Sequence, residues 1–140
     1  MQCALTILGV RKGQQSLAKL IGITEDGADE QDILQAIAKL GLRPDELSTD
    51  SRQEARRWLI ERSPLHPSLL CVDDWGHWVT VAGMCHDRVF LFDPAKEVWN
   101  TKTRGAWPLK PETILKRWKA SRKRRGPDPA YYAIGLLKVS

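Results

Sequence analysis

Apolar positions in the first forty residues recur with a helical period. In Met1–Val10, Cys3, Ile7 and Val10 fall at i, i+4 and i+7, with Ala4 and Leu8 widening the stripe. Such a helix, apolar on nearly all sides, belongs in an interior. Gly13 breaks it. Ser16 caps a short helix, Leu17–Ile21, which Gly22 ends, and Thr24–Ala28 reads as a turn. Asp29 then caps a helix with Glu30 and Asp32 in its first turn. Its stripe is Ile33, Ile37 and Leu40, with Leu34 and Ala36 beside it, and Gly41 suits the position after its end. A link through Pro44 follows. Ser51 caps a helix to about Arg62, with Ala55, Trp58 and Leu59 on its apolar side, and Pro64 and Pro67 close it.

Beyond Pro67 the period changes to two. Ser68–Asp73 is a short apolar strand. His77–Gly83 and Val89–Asp93 are β-rich runs flanking a polar turn, a hairpin pattern. Residues 94–109 are rich in turn formers, with a candidate short strand near Val98–Thr101. Pro111 fits the first position of a helix over Glu112–Lys119. Gly126–Pro129 is a loop, and Tyr131–Val139 is a strand. Helices thus precede strands, which predicts an α+β fold with a mainly antiparallel sheet rather than an alternating parallel one. Neither an internal repeat nor a linker interrupts the pattern, so residues 1–140 read as a single domain.

Composition narrows the class. With 140 residues, 42% hydrophobic and six Trp, the chain can bury a core, which excludes wholesale disorder. No apolar run approaches the roughly 18 residues a membrane span needs, and the first residues lack signal-peptide features. Three Cys without CxxC spacing suit free thiols in a reducing cytoplasm. Charge is uneven: residues 101–140 carry 11 basic and 2 acidic side chains, although the whole chain is only +5. The densest block is Lys116–Arg125. Lys116, Arg117, Arg122, Lys123, Arg124 and Arg125 are candidate nucleic-acid contacts, with Trp118 interleaved as a stacking ring. Trp118 also lies at i+4 from Ile114, as an apolar helix face would place it.

The hairpin holds the candidate chemistry. If its turn is centred on Cys85, partner numbers sum to 170, so Val81 faces Val89, Val79 faces Leu91 and His77 faces Asp93. These six share one face, and Trp78, Thr80, Phe90 and Phe92 share the other. A carboxylate on one imidazole nitrogen fixes the tautomer and leaves the other nitrogen as a base. A solvent-facing His–Asp pair at the open end of a hairpin has the same spacing, and a one-residue slip removes the contact. Cys71, His77, Cys85 and His86 match no common zinc spacing, so no metal is expected.

The order of segments resembles the C39-type cysteine peptidases, papain-like domains found on bacteriocin-exporting transporters and as standalone proteins. Cys3-Ala4-Leu5-Thr6-Ile7-Leu8 resembles the nucleophile helix. Ser16–Leu20 with Ile23–Gly27 resembles the second helix and its turn, and Asp32–Leu42 the third helix. Gly76-His77-Trp78-Val79 and Phe92-Asp93-Pro94 resemble the His and Asp motifs, while Ile114–Trp118 and Tyr131–Leu137 are similar to the last helix and strand. The resemblance implies a papain-like fold, cytoplasmic and of bacterial type, with helices packed on a C-terminal sheet. It implies peptide cleavage by a Cys-His-Asp arrangement without a cofactor. Carried over by position, His77 is the base and Asp93 its orienter.

The nucleophile departs from the family texture of Cys, Gly, two small residues and Leu. Laid on Ala4-Leu5 without a gap, that texture puts the nucleophile one residue before Met1 and Cys3 on a small core position. The family's upstream oxyanion Gln has only Gln2 to match it, adjacent to the thiol. Three readings follow: Cys3 is the nucleophile of a shorter helix; the nucleophile is lost and the domain binds peptide without cutting; or the natural chain starts further upstream. In the binding reading, Trp75 and Trp78 are the candidate groove aromatics.

Overall fold

The computed structural model describes residues 30–72, 77–92, 106–120 and 129–138. The two helices expected before Gly22, the strand expected near Val98–Thr101 and the loop Gly126–Asp128 lie outside them. The elements run α1 (Glu30–Lys39), β1 (Leu42–Thr49), α2 (Arg52–Arg62), β2 (Ser68–Val72), β3 (His77–Cys85), β4 (Arg88–Phe92), β5 (Ala106–Leu109), α3 (Pro111–Trp118) and β6 (Tyr131–Lys138). The strands form one six-stranded sheet in the order β1-β6-β2-β3-β4-β5, every pair antiparallel. The α+β expectation holds.

Alternation along the strands separates two apolar layers. On one face Leu70, Val72, Val79, Val81, Val89, Leu91, Tyr131 and Ala133 meet Ala55, Trp58 and Leu59 of α2 and Ile114, Leu115 and Trp118 of α3. On the other, Leu69, Cys71, Tyr132, Ile134 and Leu136 meet Ile33, Ala36 and Ile37 of α1. The stripes expected for α1, α2 and α3 are therefore the ones turned to the sheet, with Leu34 of α1 and Leu40 just beyond its end partly buried. Trp118 anchors the first layer. Its ring packs edge-on against Tyr131 (centroids 5.3 Å apart) and tilted against Trp58 (6.4 Å), and its Nε1–H donates to the Tyr132 carbonyl at 2.9 Å.

Local chemistry sets the element ends. Gly41 has φ 74°, the left-handed conformation that ends α1 cheaply. At α2 the Ser51 side chain accepts from Glu54 N at 3.2 Å. Thr49 Oγ1 accepts from Ser51 N (3.0 Å) and donates to the Glu54 carboxylate (2.9 Å), and Asp50 accepts from Ala130 N (2.9 Å). This ties the β1–α2 corner to β6. Pro111 opens α3, where a missing N–H costs nothing.

Three expectations are corrected. The link through Pro44 is strand β1, with Leu42, Leu47 and Thr49 turned inward. It lacks the β-branched alternation that marks a strand, because an edge strand needs fewer apolar positions. The segment expected to be irregular ends in β5, which also contains a proline, Pro108. The hairpin turn is His86-Asp87, with His86 at φ 55°, rather than a turn centred on Cys85.

Candidate functional site

His77 is the first residue of β3 and faces Val72, the last of β2. Its face is that of Val79 and Val81, both buried under α2 and α3. The imidazole is half-buried and has an interaction partner within the fold. Trp78, one residue on, lies on the opposite face, edge-on to Tyr132 with centroids 6.2 Å apart. The Tyr132 hydroxyl donates to the Glu46 carboxylate of β1. Burial first, and then that carboxylate, push the Tyr132 phenol well above the usual tyrosine range, so it stays a donor. The strand start that presents His77 is thus paired to Val72 of β2, and its next residue, Trp78, packs on Tyr132 across the sheet.

The hairpin faces agree with the sequence, but its register does not. Val81 opposes Leu91, and Thr80 opposes Phe92. Beyond a register shift between Val81 and Gly83, Met84 opposes Val89 and Cys85 opposes Arg88. A bulge adds one residue to β3, so Met84, not the residue expected from strict alternation, packs on the α2–α3 core. The expected Val81–Val89 and Val79–Leu91 pairs do not form. The direct opposition of His77 and Asp93 was drawn from that same register and loses this support. Asp93 itself lies outside the described residues, as do Gln2, Cys3 and Trp75.

The described thiols lie away from His77. Cys71 is buried and faces Trp78 across the strands, on the α1 face. Cys85 is exposed at the far end of β3, roughly 25 Å from His77 at the usual rise per strand residue. Among the described residues no three or more His, Cys, Asp or Glu side chains gather into a metal site. Trp78, one of the two candidate groove aromatics, is partly buried against the α1 layer, on the face opposite His77 as the strand alternation expects.

A second His–Asp pair escaped sequence reading. His66 sits in the loop after α2, its side chain only 7% exposed, with Nε2 3.6 Å from Asp45 Oδ2. Its Nδ1 lies 3.1 Å from the Pro67 carbonyl, and Arg62 Nε donates to the same Asp45 oxygen at 2.9 Å. In the sequence, Pro64 and Pro67 on either side of His66 mark only a loop. The signal that mattered was Gly135 on the neighbouring strand, where the ring leaves no space for a Cβ. The pair fastens the α2 exit to β1 and β6.

In the basic block, Lys116 is exposed and Arg117 half-buried, while Arg122, Lys123, Arg124 and Arg125 lie outside the described residues. Trp118 is fully buried and cannot stack on a base.

No family model matches the sequence, and no curated protein matches it significantly. Solved structures do. The peptidase domain of Streptococcus ComA, a bi-functional ABC transporter of a quorum-sensing pathway, superposes with a TM-score of 0.67 at 17% identity, covering 98% of this chain and 88% of that one. A double glycine motif protease from an AMS/PCAT transporter, solved with a leader peptide, gives 0.64 at 13% identity, over 98% and 81%. The Streptococcus mutans ComA peptidase domain gives 0.56 at 17%, over 87% of each chain. The fold is that of a C39 peptidase domain. The resemblance read from segment order therefore holds at the level of architecture. Within this C39 fold, His77 stands at the start of β3, the strand on which the His motif was recognised. Among the described residues no helix is long and apolar enough to cross a membrane.

Proposed function

We propose that the chain is a C39-like domain that binds peptides and cleaves them with Cys3 as nucleophile, His77 as base and Asp93 as its orienter. The observation that carries this reading is the placement of His77: an imidazole on the first residue of a central strand, opposite Val72, in a C39 peptidase fold. Cys71 and Cys85 are turned elsewhere, which leaves Cys3 as the thiol for this imidazole. In the cleavage step the Cys3 thiol gives its proton to His77, and the thiolate adds to the peptide carbonyl. Gln2, next to Cys3 in sequence, takes the role of amide donor to the developing oxyanion. The imidazolium then protonates the leaving amine, and water releases the acyl group. Asp93 holds the ring in the productive tautomer. The double-glycine protease and its leader peptide point to a double-glycine leader as the first substrate to try.

A second reading has its own support. When Ala4-Leu5 is laid on the family texture, Cys3 takes the small core position, as in a domain that has lost its nucleophile and holds peptide without cutting. One pair of measurements separates the two. Iodoacetamide at neutral pH should alkylate Cys3 faster than a model thiol, and His77→Ala should slow it. Cleavage of a leader peptide should vanish in Cys3→Ala. Ordinary Cys3 reactivity that ignores His77, with peptide binding that survives Cys3→Ala, would establish the binder instead.

A further inference from the structure

The outer surface of α2 and α3 is left unexplained by a peptide site. Arg52, Arg56 and Arg57 of α2 and Lys116 of α3 are all exposed. The acids nearby are engaged: Glu54 accepts from Thr49, Glu61 lies 3.4 Å from Arg62, and Glu112 is bonded by Arg56 at 3.0 Å. Arg56 holds the Glu112 carboxyl below the usual carboxylate range, with Arg52 adding to the same field. Arg57 and Lys116 keep their charge for an outside partner. The opposite layer is different: α1 carries Glu30 and Asp32 against Lys39. Among the described residues the α2–α3 surface is therefore the more basic of the two helical layers.

Two apolar residues belong to α2 and the loop at its end. Ile60 is only half-buried and follows Arg56 by four positions, on the same stripe of α2. Leu65, three residues beyond the helix end, is 74% exposed and is the one large hydrophobic so exposed among the described residues. Pro64 and Pro67 flank it and stiffen its loop. Exposed aliphatic groups add nothing to phosphate contacts, and among the described residues the rings of this layer that could stack on bases, Trp58, Trp118 and Tyr131, are buried. A surface carrying exposed arginines, a lysine and two aliphatic side chains matches a lipid surface, where the cations meet headgroup phosphates and the aliphatic groups enter the acyl boundary.

We propose that the outer face of α2 and α3 docks the protein on anionic membranes, through Arg52, Arg57 and Lys116 with Ile60 and Leu65. This is peripheral attachment by a surface, independent of whether Cys3 is reactive. The test is co-sedimentation of the full chain with vesicles of phosphatidylcholine containing about one-third phosphatidylglycerol, beside pure phosphatidylcholine vesicles, at about 0.1 M salt. Binding should need the anionic lipid and fall steeply with salt. Arg57→Gln and Lys116→Gln should each weaken it by about fivefold. Leu65→Ser should weaken it further without altering the salt dependence. All three positions are exposed, and an unchanged circular dichroism spectrum certifies the fold. Absence of binding, equal binding to neutral vesicles, or indifference to Arg57→Gln and Lys116→Gln would each overturn the proposal. So would a duplex RNA that displaces the vesicles and binds more tightly through the same residues.

Discussion

A methyl group added at Gly135 would lie 2.3 Å from His66 Cε1, 3.0 Å from its Nδ1 and 3.3 Å from Asp45 Cβ. The ring is itself held by the Pro67 carbonyl and by Asp45, so it cannot simply swing aside. Gly135→Ala should therefore cost about 1–3 kcal/mol, the range for overpacking, in a urea titration. Adding His66→Ala to it should recover part of that loss, because the obstruction is gone; a purely additive pair would contradict the contact. Tyr132 gives a second expectation. Burial and the bond to Glu46 keep its proton in the folded state far above the ordinary value of 10.0. The folded phenol thus binds a proton that the unfolded one releases, so its contribution is complete below about pH 10 and is lost as pH rises beyond it. Tyr132→Phe should flatten the alkaline limb of a stability–pH curve, and a limb of unchanged steepness would show that Tyr132 does not set it.

Elements whose signals are local were legible in the sequence. The α2 cap at Ser51, the Gly41 stop of α1 and the Pro111 start of α3 each act within one turn, so residue type and spacing suffice. Ser51→Ala should cost about 1 kcal/mol by leaving the Glu54 N–H without its side-chain acceptor, measurable as a lowered urea midpoint. The elements that were missed depend on neighbours. β1 is made a strand by eight cross-strand partners in β6, not by its own composition. The turn at His86-Asp87 shifts the expected pairing by three positions and the bulge in β3 takes one of them back, which no periodicity in His77–Cys85 betrays. That slip matters to chemistry, because it removes the simple geometric reason for pairing His77 with Asp93 while leaving the two faces of the hairpin as expected.

For the molecule as a whole, the sheet is a wall between two unequal layers. The α2–α3 side carries Trp58, Trp118 and Tyr131, and truncating its centre by Trp118→Ala should cost about 3–5 kcal/mol, read by far-ultraviolet circular dichroism during unfolding. That is a large part of the roughly 5–15 kcal/mol typical of a domain. The architecture was legible because segregated helices and strands leave few ways to bury both faces of one sheet. The candidate site was legible only as far as His77, since its partners come from segments distant in sequence. The two outer strands add something else. The pair flanking the His86-Asp87 turn, Cys85 and Arg88, exchanges both its bonds, so Phe90 also turns its backbone toward β3, and its β5 partner Pro108 turns its nitrogen outward. At the other end Leu136 spends its N–H on the Pro67 carbonyl, away from β1, so Pro44 opposite it also points its nitrogen outward. Both rims thus lack a donor near the middle of the strand. A missing donor on each rim of the described sheet weakens rim-to-rim pairing between copies, which lowers the tendency of the concentrated protein to seed fibres by that route.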